Sequence, residues 1–367
     1  MQRSVAIVGS RGYPSYYGGF ETLVRKLAPY LVDAGWAVTV YSRPAAAKEI
    51  DETADNRVES VFTQGIESKS LSTLSYGLSS SIAAARRKHD VALVLNCANG
   101  YFLPLLKSAA IPTLVNVDGI EWERAKWGRA ARAVFKGGAI ASARWATQLV
   151  FDAEEIGRYW RENFHRDGLY IPYGGDQVRS DGYTPEGFLP RQFALVVARF
   201  VPENTIAEFL EAARTLAREM PIIIVGSSGH GGPLEAEVQA LANEYGNVMW
   251  LGHVRDDRKL QWLWANAAVY FHGHSVGGTN PALVQAMASG AAVVARDTVY
   301  NREVLDGAGL FVAPDSKAIE AGLRSVAQSP LLRESLGAAA QIRAESYFTW
   351  ASVCEKYEAA LSELSRK

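Results

Sequence analysis

Apolar residues come in two rhythms along this chain, and the alternation between them predicts most of its architecture. Short, almost unbroken apolar runs occur at Val5–Val8, Ala37–Tyr41, Val91–Leu95 and Thr113–Val117, with a weaker one at Val58–Val61. Runs of this length, rich in β-branched residues, read as strands buried on both faces. Between them, Glu21–Ala34 places Leu23, Leu27, Tyr30 and Leu31 at helical spacing and closes on Gly35; Ser70–Lys88 also reads as a helix. A second alternation starts at Phe193–Val197. It continues through a helix at Ile206–Arg218, a strand at Ile222–Val225, a helix at Gly232–Tyr245, a strand at Val248–Leu251 and a short helix at Lys259–Asn266. Strands separated by helices predict parallel βαβ units with right-handed crossovers, so the fold class is α/β.

The stretch Val269–Glu303 is the most informative. A strand, Val269–His272, runs into Gly273-His274-Ser275 and then Gly277-Gly278-Thr279-Asn280-Pro281; a helix spans Ala282–Ala288, and the next strand is Ala291–Ala295. Glycines between a strand and a helix start leave backbone N–H groups available to an anion, and Pro281 fits the first helical turn. This predicts a site for a phosphate-bearing ligand. An earlier loop, Gly9–Pro14 with Gly18-Gly19 before the first helix, has a related character.

Polar, turn-rich sequence from Arg179 to Arg191, after Ile171–Asp176, marks a junction. The expected organisation is a first domain over 1–172, a second over 173–345, and a terminal segment over 346–367. Trp350–Leu364 in that segment reads as a helix able to pack on either domain, crossing back to the first in one reading. The repetition between halves is architectural; no sequence repeat accompanies it.

Composition narrows the function. The chain has 367 residues, 48% hydrophobic and 21% charged, with net charge −1, which argues against a general nucleic-acid binder. Its two cysteines, Cys97 and Cys354, lie far apart, which suits a reducing compartment and provides no metal spacing. His89, His165, His230, His253, His272 and His274 form no metal-binding pattern; His274 is expected to face the cleft and His272 to pack. No apolar run reaches the roughly 18 residues of a spanning helix, and Met1–Ser4 leads directly into a strand, so a cytoplasmic chain is expected. From Arg124 to Arg144, Arg124, Lys126, Arg129, Arg132, Lys136 and Arg144 occur with no acid among them and with Trp127, Phe135 and Trp145 interleaved. Two readings of residues 124–145 stay open: a face lying on anionic lipid at the inner side of a membrane, and an ordinary solvated face.

Several segments taken together resemble a known family. Gly18-Gly19-Phe20-Glu21, Arg199–Asn204, Val117–Trp127 and His274–Met287 are similar, in order, to retaining GT-B glycosyltransferases of family 4, and more closely to their rhamnosyltransferase-like branch. The terminal Tyr347-Phe348-Thr349-Trp350 resembles that family's entry to its closing helix. The resemblance implies a GT-B fold, two doubly wound Rossmann-like domains facing a cleft. It also implies transfer of a sugar from a nucleotide diphosphosugar to a hydroxyl acceptor with retention, in glycan or glycoconjugate synthesis. No cofactor and no metal are implied; the nucleotide sugar is a substrate, and the acceptor is a glycan, a lipid-linked sugar or a small molecule.

By the same resemblance Arg199 contacts the donor diphosphate, as do Gly18 and Gly19 and the amides of Gly277, Gly278, Thr279 and Asn280. Asn204 stands where the wider family has lysine, and His274 and Glu303 fall on the donor side; Glu303 has the alternative of pairing with Arg302. Asp118 is implied to orient a sugar hydroxyl or help deprotonate the acceptor, with a β-turn aspartate as the plain alternative. Glu121, Trp122 and Arg124 fall on the acceptor side. Two glutamates of the wider family, one near the donor sugar and one on the ribose, are replaced by Gly277 and Gln285, and Ser275 stands where this branch often has glutamate. Gln285 still offers hydrogen bonds to a ribose hydroxyl without charge. That pattern points to a deoxythymidine diphosphosugar donor such as the rhamnose derivative. Its rivals are a non-catalytic homologue serving as a partner protein and a nucleotide-sugar epimerase.

Overall fold

The computed structural model describes residues 2–16, 18–44, 54–68, 72–124, 127–177, 184, 187, 189–229 and 231–366. Lys126, Arg179 and His230 lie outside them. The chain divides into two compact units, one formed by Met1–Tyr173 with Trp350–Lys367 and the other by Gly174–Thr349.

The first unit runs β1 (Ser4–Val8), α1 (Gly19–Asp33), β2 (Ala37–Ser42), β3 (Glu59–Phe62), α2 (Ser72–Arg87), β4 (Val91–Leu95) and α3 (Leu103–Ser108). It continues with β5 (Thr113–Asn116), α4 (Arg129–Trp145), β6 (Gln148–Phe151), α5 (Glu154–Phe164) and β7 (Leu169–Tyr170). The second unit runs β8 (Ala194–Val197), α6 (Ile206–Leu216), β9 (Ile222–Val225), α7 (Pro233–Glu244), β10 (Val248–Trp250), α8 (Asp257–Asn266) and β11 (Val269–His272). After these come α9 (Pro281–Ala288), β12 (Val293–Arg296), α10 (Val299–Leu305), β13 (Leu310–Val312), α11 (Ser316–Ala327) and α12 (Pro330–Tyr347), and the chain closes on α13 (Trp350–Ser365).

Both sheets are parallel throughout. The first has the order β3-β2-β1-β4-β5-β6-β7 and the second β10-β9-β8-β11-β12-β13. Strand order reverses between β1 and β4 in one and between β8 and β11 in the other, and ligands of such sheets gather beyond the carboxyl ends at that switch. The central strands are apolar because helices cover both faces: Val5 to Val8 and Val269 to Phe271 have no solvent exposure.

The closing helix belongs to the first unit. Val353, Tyr357, Leu361 and Leu364 of α13 pack into the cluster of Leu23, Leu27 and Leu31 from α1, each fully buried aliphatic side chain contributing about 1.5–3 kcal/mol. Tyr357 is fixed further by accepting a 2.7 Å hydrogen bond from Asn116 Nδ2 at the end of β5. Within the second unit, Gly175 N–H donates to Phe348 O at 2.8 Å, so the segment entering the unit and the segment leaving it are tied side by side. Among the described residues no helix is long and apolar enough to cross a membrane.

Candidate functional site

In the second unit the loops after β8 and β11 are stitched into one surface at the switch point. After β8 the chain turns through a 3-10 segment, Pro202–Asn204, and Thr205 adopts a left-handed conformation (φ 56°) before α6 begins. Thr205 Oγ1 donates to Gly273 O at 2.6 Å and accepts from Arg296 Nη1 at 3.0 Å. Ser275 donates to Glu203 O from both its N–H and its hydroxyl, each at 2.9 Å. A Cβ on Gly273 would stand 2.3 Å from Asn204 O, so this approach of two backbones requires glycine. Asn301 closes the third side, its Nδ2 donating to His274 O at 2.9 Å and Arg296 O at 2.8 Å.

This framework presents some of the expected residues and holds others. Arg199 is exposed, and its guanidinium has no side-chain partner among the described residues. Gly277 adopts a positive φ of 96°, and the N–H groups of Gly277 and Gly278 have no hydrogen-bond partner among the described residues. Thr279 is buried at the start of the turn into α9. Asn280 caps that helix, its Oδ1 accepting from Ala282 N–H at 3.0 Å. Asn204 is engaged with the framework as well. It is buried and folds its Nδ2 onto Arg199 O at 2.8 Å, which makes it a support for the turn carrying Arg199.

Gln285 shows the largest difference. Its Oε1 accepts from Asp176 N–H at 2.9 Å and its Nε2 donates to Asp176 O at 2.8 Å. An amide side chain matches a peptide unit in both directions, which a carboxylate cannot do, so Gln285 docks the incoming segment on α9. Arg302, offered as a partner for Glu303, instead forms a two-pronged ion pair with Asp297 at 2.6 and 2.8 Å. Glu303 sits half-buried on α10, its carbonyl taken by Arg343 Nη2 at 2.8 Å.

Beneath the loop, His272 and His274 stack with ring centroids 4.4 Å apart and planes 14° from parallel. His272 is fully buried with Nδ1 3.1 Å from Tyr270 Oη, and burial alone pushes its imidazole down to about 3, which keeps it neutral. His274 is half-buried above it. Among the described residues no group of three or more His, Cys, Asp or Glu is placed to hold a metal ion.

The first unit builds its own polar corner at the ends of β1, β4 and β5. Asp118 follows β5 with a left-handed backbone (φ 63°); its N–H donates to Asn116 Oδ1 at 3.0 Å and its Oδ2 lies 3.4 Å from Asn96 Nδ2. Asn96 itself holds φ 73° and ψ 128°, a region that costs of order 1–3 kcal/mol for a residue with a side chain. Strained positions side by side at the ends of neighbouring strands occur where a side chain must be aimed. Across the switch, a Cβ on Gly9 would meet Leu95 O at 2.2 Å, so the loop after β1 lies directly on the end of β4. Gly18 caps α1 with no side-chain bond, and buried Glu21 accepts from Arg11 N–H at 2.9 Å, bracing the loop that leads to Gly18-Gly19.

Glu121, Trp122 and Arg124 prove to be a clasp. Glu121 is buried, its Oε1 2.6 Å from Arg124 Nε and its Oε2 accepting from Trp127 Nε1 at 2.9 Å. Trp122 is buried against Phe164 at 5.9 Å between ring centroids, with its indole N–H on Tyr159 Oη at 3.3 Å. These contacts brace the turn that follows Asp118 and leave little of the three side chains exposed. Sequence reasoning passed over Thr205, Arg296 and Asn301 in one unit and Asn96 in the other. A signal existed for Arg296, an arginine ending an otherwise apolar strand; none marked the backbone strain at Asn96.

Comparison with known proteins follows the division of the chain. Residues 2–176 match the family described as Domain of unknown function (DUF1972), and residues 187–343 match Glycosyl transferases group 1. A phosphatidyl-myo-inositol mannosyltransferase of Mycolicibacterium smegmatis is 31% identical over 206 residues, covering 53% of this chain and 52% of that protein. Its counterpart in Mycobacterium tuberculosis is 30% identical over 218 residues, covering 55% and 56%. The chain thus spans about half the length of the curated relatives it matches. A sucrose-phosphate synthase from Thermosynechococcus elongatus superposes with TM-score 0.82 at 17% identity, covering 99% of both chains. Anabaena HepE in complex with UDP-glucose superposes with TM-score 0.76 at 13% identity, covering 99% of this chain and 100% of that one. The fold is that of the GT-B glycosyltransferases, and residues 187–343, less than half of the chain, carry the match to glycosyl transferases group 1.

Proposed function

We propose that the chain is a retaining, metal-independent glycosyltransferase whose second unit binds a nucleotide diphosphosugar and whose first unit orients a hydroxyl acceptor through Asp118. The observation that carries this reading is the pairing of an exposed, unpartnered Arg199 with the unpartnered amides of Gly277 and Gly278 at the sheet's switch point. A departing nucleoside diphosphate gains negative charge as the sugar–oxygen bond breaks, and a guanidinium together with unbonded backbone amides stabilises that charge. The loop from Gly273 to Asn280 contains no carboxylate, so no protein nucleophile is offered there. The acceptor oxygen then attacks the anomeric carbon on the face the diphosphate leaves, and its proton passes to the departing phosphate oxygen.

Deoxythymidine diphosphate rhamnose is the donor we favour, because Gln285 stands where the wider family has a ribose-binding glutamate and brings no charge to a ribose diol. The mannosyltransferase relatives and the UDP-glucose complex of a structural neighbour support nucleotide-sugar chemistry in general and leave the sugar to experiment.

The test is to incubate the purified chain with a panel of nucleotide sugars and follow donor cleavage, alone and with acceptor extracts. Deoxythymidine diphosphate should raise the melting temperature more than the uridine or guanosine diphosphates. Arg199→Ala should slow turnover by about 10²–10³-fold at unchanged melting temperature without ligand. Near-normal turnover in that variant overturns the assignment; nucleotide binding with no turnover under any condition selects the non-catalytic partner.

A further inference from the structure

Basic residues are concentrated in one part of the first unit's sequence. Residues 97–117 and 124–151 together contain seven basic residues (Lys107, Arg124, Lys126, Arg129, Arg132, Lys136 and Arg144) and no acidic one, in a chain whose net charge is −1. The structure shows which way α4 faces. Its small residues are buried: a Cβ on Gly138 would meet Cys97 O and Ala98 Cα at 2.8 Å, and Ser142 Oγ donates to Cys97 O at 3.1 Å. Docked so closely on the turn at Cys97–Phe102, the helix turns its opposite side outward.

On that side Arg129, Ala133, Lys136, Ile140 and Arg144 recur at i, i+4, i+7, i+11 and i+15, a single stripe, and all five are exposed. Ile140 is 53% exposed at its centre. Beside the stripe, Tyr101 and Leu105 are also exposed, Tyr101 Oη donating to Val134 O at 2.8 Å. Trp145 carries two cations near its ring, Lys107 Nζ at 5.1 Å and Arg144 Cζ at 5.1 Å from the centroid. A solvated helix face ordinarily mixes acids with bases and does not centre a large aliphatic side chain among cations. Cations flanking an apolar tip, with an aromatic at the margin, match a surface of anionic headgroups over acyl chains.

We propose that this stripe is the contact by which the chain lies on an anionic phospholipid surface, with Ile140 entering the headgroup layer and Arg129, Lys136 and Arg144 meeting the phosphates. This contact depends on the charge and shape of α4 and not on the donor chemistry.

The test uses the full chain, sedimented with vesicles of phosphatidylcholine alone and of phosphatidylcholine mixed with phosphatidylglycerol. Partitioning should require the anionic lipid and weaken as salt rises. The double variant R129E/K136E, at two exposed positions outside the candidate site, should lose partitioning by at least about tenfold. Ile140→Ser should lose several-fold while keeping the salt dependence. Far-ultraviolet dichroism and melting temperature should match the parent, and the nucleotide-induced rise in melting temperature should persist in both variants, which separates a failure here from a failure of the donor assignment. Equal binding to neutral vesicles, no binding by the parent, or parent-like binding by R129E/K136E overturns the proposal. Binding to polyuridylate in place of vesicles, with the same loss in the double variant, overturns it in favour of a polyanion site.

Discussion

Replacing Gln285 by glutamate sets two accounts of that residue against each other. If the side chain chiefly serves a ribose, Gln285→Glu restores the family's usual carboxylate and should tighten nucleotides that carry a 2′-hydroxyl. The structure argues otherwise, because the carboxamide both accepts from and donates to Asp176, at 2.9 and 2.8 Å. Glutamate keeps the accepting half and turns the donating half into an oxygen facing Asp176 O. One hydrogen bond is lost, worth about 0.5–1.5 kcal/mol, and a half-buried carbonyl is left opposite a like dipole, bringing the total to about 1–3 kcal/mol. In a unit of this size that lowers the corresponding melting transition by roughly 2–10 °C. The loss also carries a sign in pH. Protonated glutamate regains the donor, so the native state holds that proton more tightly than the unfolded chain and the variant's deficit shrinks as pH falls. Differential scanning calorimetry of parent and variant at pH 5 and at pH 8 reads both effects, on the order of the pH range where carboxyls titrate. A variant as stable as the parent at both pH values, with tighter binding of uridine diphosphate, refutes the docking role.

Other expectations follow from single residues. Glu121→Ala leaves Arg124, whose side chain is 12% exposed, without its carboxylate and frees the Trp127 indole, so urea unfolding of the first unit should show a loss of about 3–5 kcal/mol; Glu121→Gln, which can still accept from the indole, should recover part of it. Asn96→Gly relieves the strained backbone but forfeits the bond from Ala98 N–H (2.9 Å) and the contact to Asp118, so stability should change by no more than about 1 kcal/mol while transfer slows. Unchanged transfer in that variant would remove the case for Asn96 aiming Asp118. Buried His272 stays neutral down to about pH 3 whereas the unfolded imidazole takes a proton near 6.5, so the native chain should lose stability as pH falls through that interval. His272→Gln should flatten the stability–pH slope there by the equivalent of one proton, and an unchanged slope would show that another group is responsible.

The strands at the two switch points were legible because burial on both faces forces continuous apolar runs, as in Val5–Val8 and Val269–His272. Elements with weaker pressure escaped notice. Gln148–Phe151 is a four-residue run without a strong boundary, and α12 leaves Leu331 and Ile342 exposed at 82% and 64%, which blurs the amphipathic pattern that would reveal it. The candidate site divides in the same way. A motif marks where a loop comes close to a ligand, and Arg199, Asp118 and Gly277-Gly278 are residues the fold leaves outward or unpartnered in such loops, or sets in a strained turn. Asn204, Asn280, Gln285 and Glu121 stand in the same motifs yet face inward. Their partners range from a few residues away, as with Trp127, to Asp176, 109 positions from Gln285, and nothing in a one-dimensional pattern distinguishes a carboxamide offered to a ribose from one closed on a distant peptide unit. That distinction changes what the replaced glutamates mean. If position 285 is chosen for docking the segment that enters the second unit, the absence of a carboxylate there carries no information about catalysis, and the departures that bear on it are Gly277 and Ser275. On the proposed reading Arg199 and the amides of Gly277 and Gly278 carry the stabilisation of the leaving diphosphate, which makes Arg199 the residue on which that reading stands or falls.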